Sequence, residues 1–521
     1  MDMNNYASPL LSSDGVREMD EYMLNTYGVT QIVLMNNAAA SVYAYICETV
    51  FPAGVSGLKV SVLCHSGGNG GDGYALARML RDGGVAVTVI SLKAPEGGAA
   101  LYYRDKWLAE GGTALEAREA AQTLAQADLI VDAIFGTGFH GRLPDDIARL
   151  LHAANASGAV RLAVDIPTGV ECDTARAGPG AFRAGHTVSF TYSKPGLESY
   201  PGRAWAGRVH VAGIGISQAA KDRFIPQAEL LDAPYCRSLL PYRSEYSNKG
   251  TYGRLICVCG SEDMTGAAIL AARGALRSGV GLLDLAVPEQ VVRVMQNWLT
   301  EPVFTPLPAE RGAREALLSQ KLAQASAVLA GCGLSQSERA KETLLHILHN
   351  CDRQLIIDAD GINILAAHID ELDILSAKSK AGAIPPPIFT PHPAEFARLL
   401  GTDTAAAEAD RIGLARMFAT GHGCVVLLKG NRTVIASPDG RIAINPTGND
   451  GMAKGGSGDL LAGMVASLCA QGMAPAEAAR LGAYLHGLAG DLCAEALGRR
   501  SMQPGDMADC IPEAFKHLES V

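Results

Sequence analysis

The sequence predicts two consecutive α/β units, and three observations carry this. Short, nearly continuous apolar runs alternate with helical patterns from about residue 58 to 216. The rhythm breaks between residues 217 and 245, then resumes for the rest of the chain. Apolar runs without polar alternation are the pattern of strands covered on both faces, as in parallel sheets flanked by helices. With 521 residues, 48% of them hydrophobic, the chain can fill two cores.

In the first half, strands are expected at Leu58–Cys64, Val85–Leu92, Leu129–Phe135, Val160–Pro167, His186–Ser193 and Arg208–Ile216. Helices fit between most of them. The result is a doubly wound, three-layer domain whose ligands belong at the carboxyl ends of the strands. Residues 217–245 contain Pro226, Pro234, Pro241 and several charges, and read as a linker. The domains are therefore set at 1–225 and 235–521. In the second, strands are expected at Arg254–Gly260, Leu282–Pro288, Ala327–Cys332, Gln354–Asp360 and Cys424–Lys429. A hairpin follows, Thr433–Ser437 and Arg441–Asn445, turning at Pro438-Asp439-Gly440. The halves show no self-similarity.

Composition narrows the function. A net charge of −10 without a basic stripe argues against nucleic acid. The twelve cysteines include no CxxC pair, and Cys257 and Cys259 share one face of a strand. Reduced thiols of a cytoplasmic enzyme fit this better than a disulfide framework. The first 22 residues carry acids and no long apolar run, unlike a signal or transit peptide. No segment approaches the roughly 20 apolar residues needed to span a bilayer.

Two constellations carry chemistry. The first begins after strand Leu58–Cys64, in HSGGNGGDG, where five glycines surround Asn69 and Asp72 just before a helix. A strand, a tight turn and a helix N-terminus make an anion site of diphosphate size. The spacing is not GxGxxG. VDAIFGTG places Asp132 on a strand before a glycine turn, and VDIPTGV places Asp165 and Thr168 at another strand end. An oxygen-rich set of this kind suits a hard cation. Each Asp alone could equally cap a turn; the coincidence of three strand ends favours a site.

The second constellation is NPTGNDGMAKGGSGDLLAGMV, residues 445–465. Its glycines allow close backbone approach to a phosphate, and the following helix points N–H groups and a positive dipole end at it. Asp459 stands at the helix mouth, where a carboxylate can act as general base on a hydroxyl being phosphorylated. The other reading makes it only the helix cap.

HSGGNGGDG, VDAIFGTG, VDIPTGV and YSKPGL resemble the motifs of NAD(P)H-hydrate epimerase, over roughly residues 10–216. The resemblance implies a Rossmann-like epimerase domain that interconverts R and S hydrates at C6 of the reduced nicotinamide ring. It implies that Asn69, Asp132 and Thr168 hold a monovalent cation, K⁺. The hydrated cofactor would bind Gly68, Asn69, Gly70, Gly71 and Asp72, the run Gly136, Thr137, Gly138, Phe139, His140, Gly141 and Arg142, and Asp165, which would transfer the proton. The family more often has a second asparagine where Gly68 stands, and serine in place of Thr168.

From about residue 240 to 515 the chain resembles ADP/ATP-dependent NAD(P)H-hydrate dehydratase of the ribokinase-like superfamily, through LIIDADGINIL, FTPHPAEFARLLG and PTGNDGMAKGGSGD. Lys454 is unusual, since a small or hydroxyl residue is commoner there. The resemblance implies phosphorylation of the C6 hydroxyl of the S hydrate, with Asp459 as base, and then loss of phosphate. Lys429, Gly430, Asn431, Arg432 and Thr433 would hold the adenine nucleotide, and Gly455, Gly456, Ser457 and Gly458 its phosphates. Ala267, Gly333, His392 and Asp459 would contact the hydrate. Mg²⁺ would accompany ADP or ATP, with Asp358 and Asp360 at its water shell or in an ordinary turn. Lys429 could also be a surface charge, and His392 a structural residue. The implied ligands are NADHX or NADPHX and ADP or ATP, and the implied state a homo-oligomer. The rival reading is a ribokinase-like small-molecule kinase carrying a non-catalytic N-terminal binding module.

Overall fold

The computed structural model describes residues 7–224 and 226–521. They form two compact units, Pro9–Ala228 and Glu229–Val521, with residues 7 and 8 joining the second. There the Ala7 N–H donates to Glu229 Oε2 (3.2 Å) and the Ser8 hydroxyl to Asp232 Oδ2 (2.8 Å). Positions 1–6 and 225 of the expected first domain lie outside the described residues.

In a short strand, β1 (Ser8–Leu10), Leu10 bridges in parallel to Ser193 of the first unit. The sheet itself is built from β2 (Lys59–Cys64), β3 (Ala86–Ser91), β4 (Ala114–Glu116), β5 (Leu129–Ala133), β6 (Val160–Val164), β7 (His186–Phe190) and β8 (Arg208–Ala212). Its order is β4-β3-β2-β5-β6-β7-β8, parallel throughout. Every residue of central β5 is fully buried, Asp132 included, which is why its apolar run shows no alternation.

The second unit contains β9 (Ala228–Leu230), β10 (Arg254–Val258), β11 (Leu282–Pro288), β12 (Val303–Leu307), β13 (Ala327–Ala330), β14 (Gln354–Ile357), β15 (Ile388–Phe389), β16 (Val425–Leu428), β17 (Val434–Ala436) and β18 (Ile442–Ile444). From β9 the order runs β9-β18-β17-β16-β15-β14-β13-β10-β11-β12. Strands β10 to β16 pair in parallel, and the expected hairpin supplies antiparallel β17 and β18.

The stretch read as a linker is not free of structure. It holds helices Gln218–Lys221 and Ala233–Ser238, and strand β9, whose neighbour Leu231 donates its N–H to Ile444 O (2.9 Å). Two expected strands also end early. The backbone after β6 turns at Asp165, with φ of 65°, and after β14 at Ala359, with φ of 49°. Side chains other than glycine adopt this left-handed region rarely, so sequence pattern alone extends the strands too far.

Two helices fix the sites. Helix Gly68–Asp82 starts at Gly68, so Asn69 to Asp72 lie inside the start of the helix and not in a preceding loop. A Cβ on Gly70 would lie 1.8 Å from His65 O, and one on Gly71 2.9 Å from Ala100 Cα. These two glycines are packing requirements. Helix Ser457–Ala470 is buried along nearly its whole length and presses on helix Thr265–Arg277. A Cβ on Gly463 would meet Ala271 O at 1.9 Å. Gly463→Ala is therefore expected to force the helices apart, at a cost of about 1–3 kcal/mol. In urea melts of the full chain the second unit's transition should move and the first unit's should not.

Candidate functional sites

In the first unit four neighbouring strands aim their carboxyl ends at one cavity of about 710 Å³. Strand β2 leads to Asn69, β5 to Gly136, β6 to Asp165 and β7 to Lys194, and all four residues line it. Gly68, Asp72, Thr137, Gly138, Phe139, His140 and Arg142 line it too. Gly70 and Gly71 are buried behind the wall, and the Gly141 N–H donates to Glu171 Oε1 (2.9 Å).

Asp132 lies beneath this wall. Its Oδ2 accepts from Thr168 N (2.7 Å) and its Oδ1 from Thr168 Oγ1 (2.7 Å) and Ile134 N (3.2 Å). Thr168 Oγ1 in turn accepts from Phe135 N (3.0 Å). Burial pushes the Asp132 carboxyl up to about 6, against these hydrogen bonds. Both amide atoms of Asn69 are buried without a hydrogen-bond partner among the described residues. A Cβ position on Gly136 is 3.5 Å from Asn69 Cγ and 3.7 Å from Asp165 Oδ2, so the three residues converge.

Lys194 belongs to the YSKPGL motif, from which no role for it follows. Its side chain is 1% exposed, and its ammonium donates to Asp165 Oδ1 (2.5 Å), Ser189 Oγ (2.8 Å) and Phe190 O (3.1 Å). Asp165 Oδ1 also accepts from Ser189 Oγ (3.2 Å), while Oδ2 remains toward Gly136. A lysine in a Ser-Lys-Pro-Gly turn reads as solvent-facing; only the neighbouring strand end shows its partner.

In the second unit β13, β14, β15 and β16 lie side by side, and the residues just beyond them build another site. Cys332 follows β13, Asp358 follows β14, Thr390 and His392 follow β15, and Lys429 follows β16. Asp358 Oδ1 accepts from Lys429 Nζ (2.7 Å) and Thr390 Oγ1 (2.8 Å), and the Cys332 thiol lies 3.6 Å from its Oδ2. Lys429 Nζ is also 3.8 Å from Glu395 Oε2. Lys429 is thus an inward-facing, paired charge.

A cavity of about 640 Å³ opens over this group, lined by Lys429, Gly430, Asn431, Thr433, His392, Gly455, Gly456, Ser457, Gly458 and Asp459. A Cβ position on Gly458 is 3.0 Å from Lys429 Nζ, so any side chain there would crowd the ammonium. Helix Ser457–Ala470 has Gly456 as its N-cap, with no side-chain cap bond. Asp459, third in the helix, is therefore not spent on capping. Burial and then the Asp358 charge push its carboxyl up to about 6, with Lys429 opposing.

Other predicted residues sit differently. His392 Nδ1 accepts from the N–H groups of Ala394 (3.1 Å) and Glu395 (3.3 Å), so the imidazole is itself a helix cap at the cavity edge. Ala267 and Gly333 face each other, 2.7 Å apart for a Cβ on Gly333, and neither lines the 640 Å³ cavity. Arg432, at φ of 56°, is also outside the lining. Lys454 donates to the carbonyls of Arg500 and Met502, tying down the glycine loop. Two residues escaped the sequence analysis. Arg411 is buried and donates to Leu428 O, Lys429 O and Asn431 O, fixing the turn that carries the predicted nucleotide segment. His486 lines the cavity, and burial holds its imidazole down at about 4, hence neutral.

Comparison with known proteins finds a family match in each half of the chain. The family model for NAD(P)H-hydrate dehydratase matches residues 255–513, and that for the YjeF-related protein N-terminus matches residues 31–196. The chain is 40% identical over 98% of its length, and 97% of the relative's, to the bifunctional NAD(P)H-hydrate repair enzyme Nnr of Moorella thermoacetica. It is 32% identical to that of Escherichia coli, covering 95% of this chain and 92% of that protein. Among solved structures, the ADP/ATP-dependent NAD(P)H-hydrate dehydratase from Bacillus subtilis, co-crystallised with ATP/Mg²⁺, is 32% identical. It covers 55% of this chain and 98% of its own, with a TM-score of 0.46. Two family models in this order, and identity of 40% along almost the whole chain, mean that this protein belongs to the family of bifunctional NAD(P)H-hydrate repair enzymes.

Proposed function

We propose that the first unit interconverts the R and S hydrates of NADH or NADPH at its 710 Å³ cavity, and that the second dehydrates the S form at its 640 Å³ cavity. The observation that carries the second half is Asp459. It is a partly buried carboxylate in the first turn of a glycine-led helix, free of capping duty and beside a lysine. Hydroxide leaves poorly and phosphate leaves well. Asp459 takes the C6 hydroxyl proton as the oxygen attacks the terminal phosphoryl group of ADP or ATP. The N–H groups of Gly455 to Gly458 and the Lys429 ammonium stabilise the transferred charge. The ring-nitrogen lone pair then pushes out phosphate to form a C=N bond, and loss of the C5 proton returns that pair to nitrogen as the C5=C6 bond forms, restoring the reduced nicotinamide. His392 and the neighbourhood of Ala267 and Gly333 orient the hydrate.

Mg²⁺ would supply charge neutralisation on the nucleotide. Asp360 keeps Oδ1 for a hydrated ion, since its Oδ2 already accepts from Ser335 N (2.8 Å), and Asp358 Oδ2, which accepts only the long Cys332 thiol contact (3.6 Å), is the other oxygen for it. In the first unit the unpartnered Asn69 amide, with Thr168 and Asp132 as further oxygen donors, fits a monovalent cation, K⁺. Its charge would help orient Asp165, whose role is proton transfer at C6. Action in the cytoplasm as a homo-oligomer completes the proposal.

The test is to incubate the purified chain with mixed R and S hydrates, Mg²⁺, and ADP or ATP. Absorbance at the reduced-nicotinamide band should recover fully. The dehydration rate should fall about tenfold per pH unit below about pH 6, because protonated Asp459 cannot act as base. No recovery with either nucleotide overturns the proposal, and phosphorylation of an unrelated alcohol would favour the kinase reading.

A further inference from the structure

We propose that Asp20 and Asp165 act as an acid–base pair on different walls of the first cavity, each serving one face of the hydrate ring. This rests on the epimerase reading above. Asp165 lies at the strand ends, whereas Asp20 comes from the covering helix Ser13–Tyr27, with Val16, Arg17 and Met19. Moving a hydroxyl from one face of a ring carbon to the other needs a proton donor on the departure side and an acceptor on the arrival side. A single carboxylate fixed to one wall serves one side.

The two acids have opposite surroundings. Asp165 Oδ1 is held by the Lys194 ammonium at 2.5 Å. Asp20 has no hydrogen-bond or ion-pair partner among the described residues, and burial, then the Asp165 charge, push it up to about 6. One carboxyl held by a buried lysine and a second, unpartnered one across the same cavity suit the base and the acid of one reaction. The other charged or titratable groups facing the cavity are Arg17 from the same helix, Asp72, His140, Arg142 and Lys194; helix Gln31–Tyr45 contributes none.

The step balances without any outside reagent. The C6–O bond breaks, the oxygen leaves with its electron pair and takes the Asp20 proton, and water departs. The ring-nitrogen lone pair forms a C=N bond. Water adds to the opposite face, the C=N pair returns to nitrogen, and Asp165 takes the released proton. The reverse epimerisation exchanges the roles, and solvent resets both groups between turnovers.

Asp20→Asn in the full chain is the test, with epimers separated by chromatography so that the second site plays no part in the readout. Epimerisation should fall about 10²–10⁴-fold, Asp20→Glu should restore part of it, and dehydration of pure S hydrate should be unchanged. The wild-type decline in kcat/KM above about pH 6 should disappear in Asp20→Asn. In ¹⁸O-water each wild-type epimerisation should install one labelled oxygen at C6. The proposal fails if Asp20→Asn keeps the wild-type rate, or loses rate but keeps the alkaline limb. It also fails if Asp72→Asn, and not Asp20→Asn, removes that limb, or if the original oxygen is retained. If the wild-type chain does not epimerise at all, the epimerase reading itself is wrong.

Discussion

Asp459→Asn is expected to cut nucleotide-dependent dehydration by about 10²–10⁴-fold while leaving epimerisation intact. Asparagine keeps the shape and cannot take the proton. The Lys429–Asp358 pair at 2.7 Å does not depend on it, and the helix loses no cap, because Asp459 makes none. The stability effect should have the opposite sign. A carboxyl raised to about 6 in the folded chain contributes stability that is fully present below about pH 4 and lost as pH rises through about 6. At neutral pH the ionised group therefore costs the fold on the order of 3 kcal/mol. The asparagine variant should melt higher than wild type at pH 7, with the gain vanishing near pH 4. Near-normal dehydration by the variant would remove Asp459 from the mechanism. An unchanged melt at pH 7 would mean that the Lys429 charge offsets the burial.

Asp165→Asn should abolish epimerisation and spare dehydration of pure S hydrate. With a racemic mixture, absorbance recovery should stall once the S fraction is consumed, beyond the spontaneous rate. Asparagine tolerates the left-handed backbone at this position, φ of 65°, better than most residues, so the turn survives. Lys194 does not fare as well. Its buried ammonium would lose the one carboxylate it pairs with among the described residues, a change of the kind that costs about 3–5 kcal/mol. The single variant should thus destabilise the first unit. A double variant, Asp165→Asn with Lys194→Met, should recover much of the stability and none of the epimerisation. Thermal melts and chromatography of the epimers, read together, separate the two effects. Epimerisation at the wild-type rate in either variant would sink the assignment.

What the sequence revealed follows from where the physics is local. Buried parallel strands such as β5 write themselves as unbroken apolar runs, and the Pro-Asp-Gly turn between β17 and β18 declares a hairpin. The glycine-led helix at Ser457 was legible because a phosphate site needs that order of residues. Edge and very short strands were not. β4 is exposed, β12 carries Pro306, and β15 has two residues after a run of prolines, so none shows a strand pattern. Partners distant along the chain were also hidden. Lys194 meets Asp165 only because β6 and β7 are neighbours, and Lys429 meets Asp358 only because one strand separates β14 from β16. The positive φ at Asp165 depends on the same contacts and is invisible in composition.

Helix Ser457–Ala470 has a consequence for how the chain is made. Its buried apolar side chains from Leu460 to Ala470, with apolar side chains of helices Pro475–Leu497 and Pro504–Ser520, share one cluster with β10, β11 and β13. Those strands, from Arg254 to Ala330, are synthesised well before the helix begins at Ser457. On the ribosome, the second sheet must therefore hold its apolar faces uncovered until these three helices emerge, for on the order of tens of seconds at usual elongation rates. The first unit's strands and covering helices are complete by Ala228, so it can close while synthesis continues. The nascent second half is thus the natural client for chaperones, and slow codons placed after Ala228 would prolong its exposure without touching the first site.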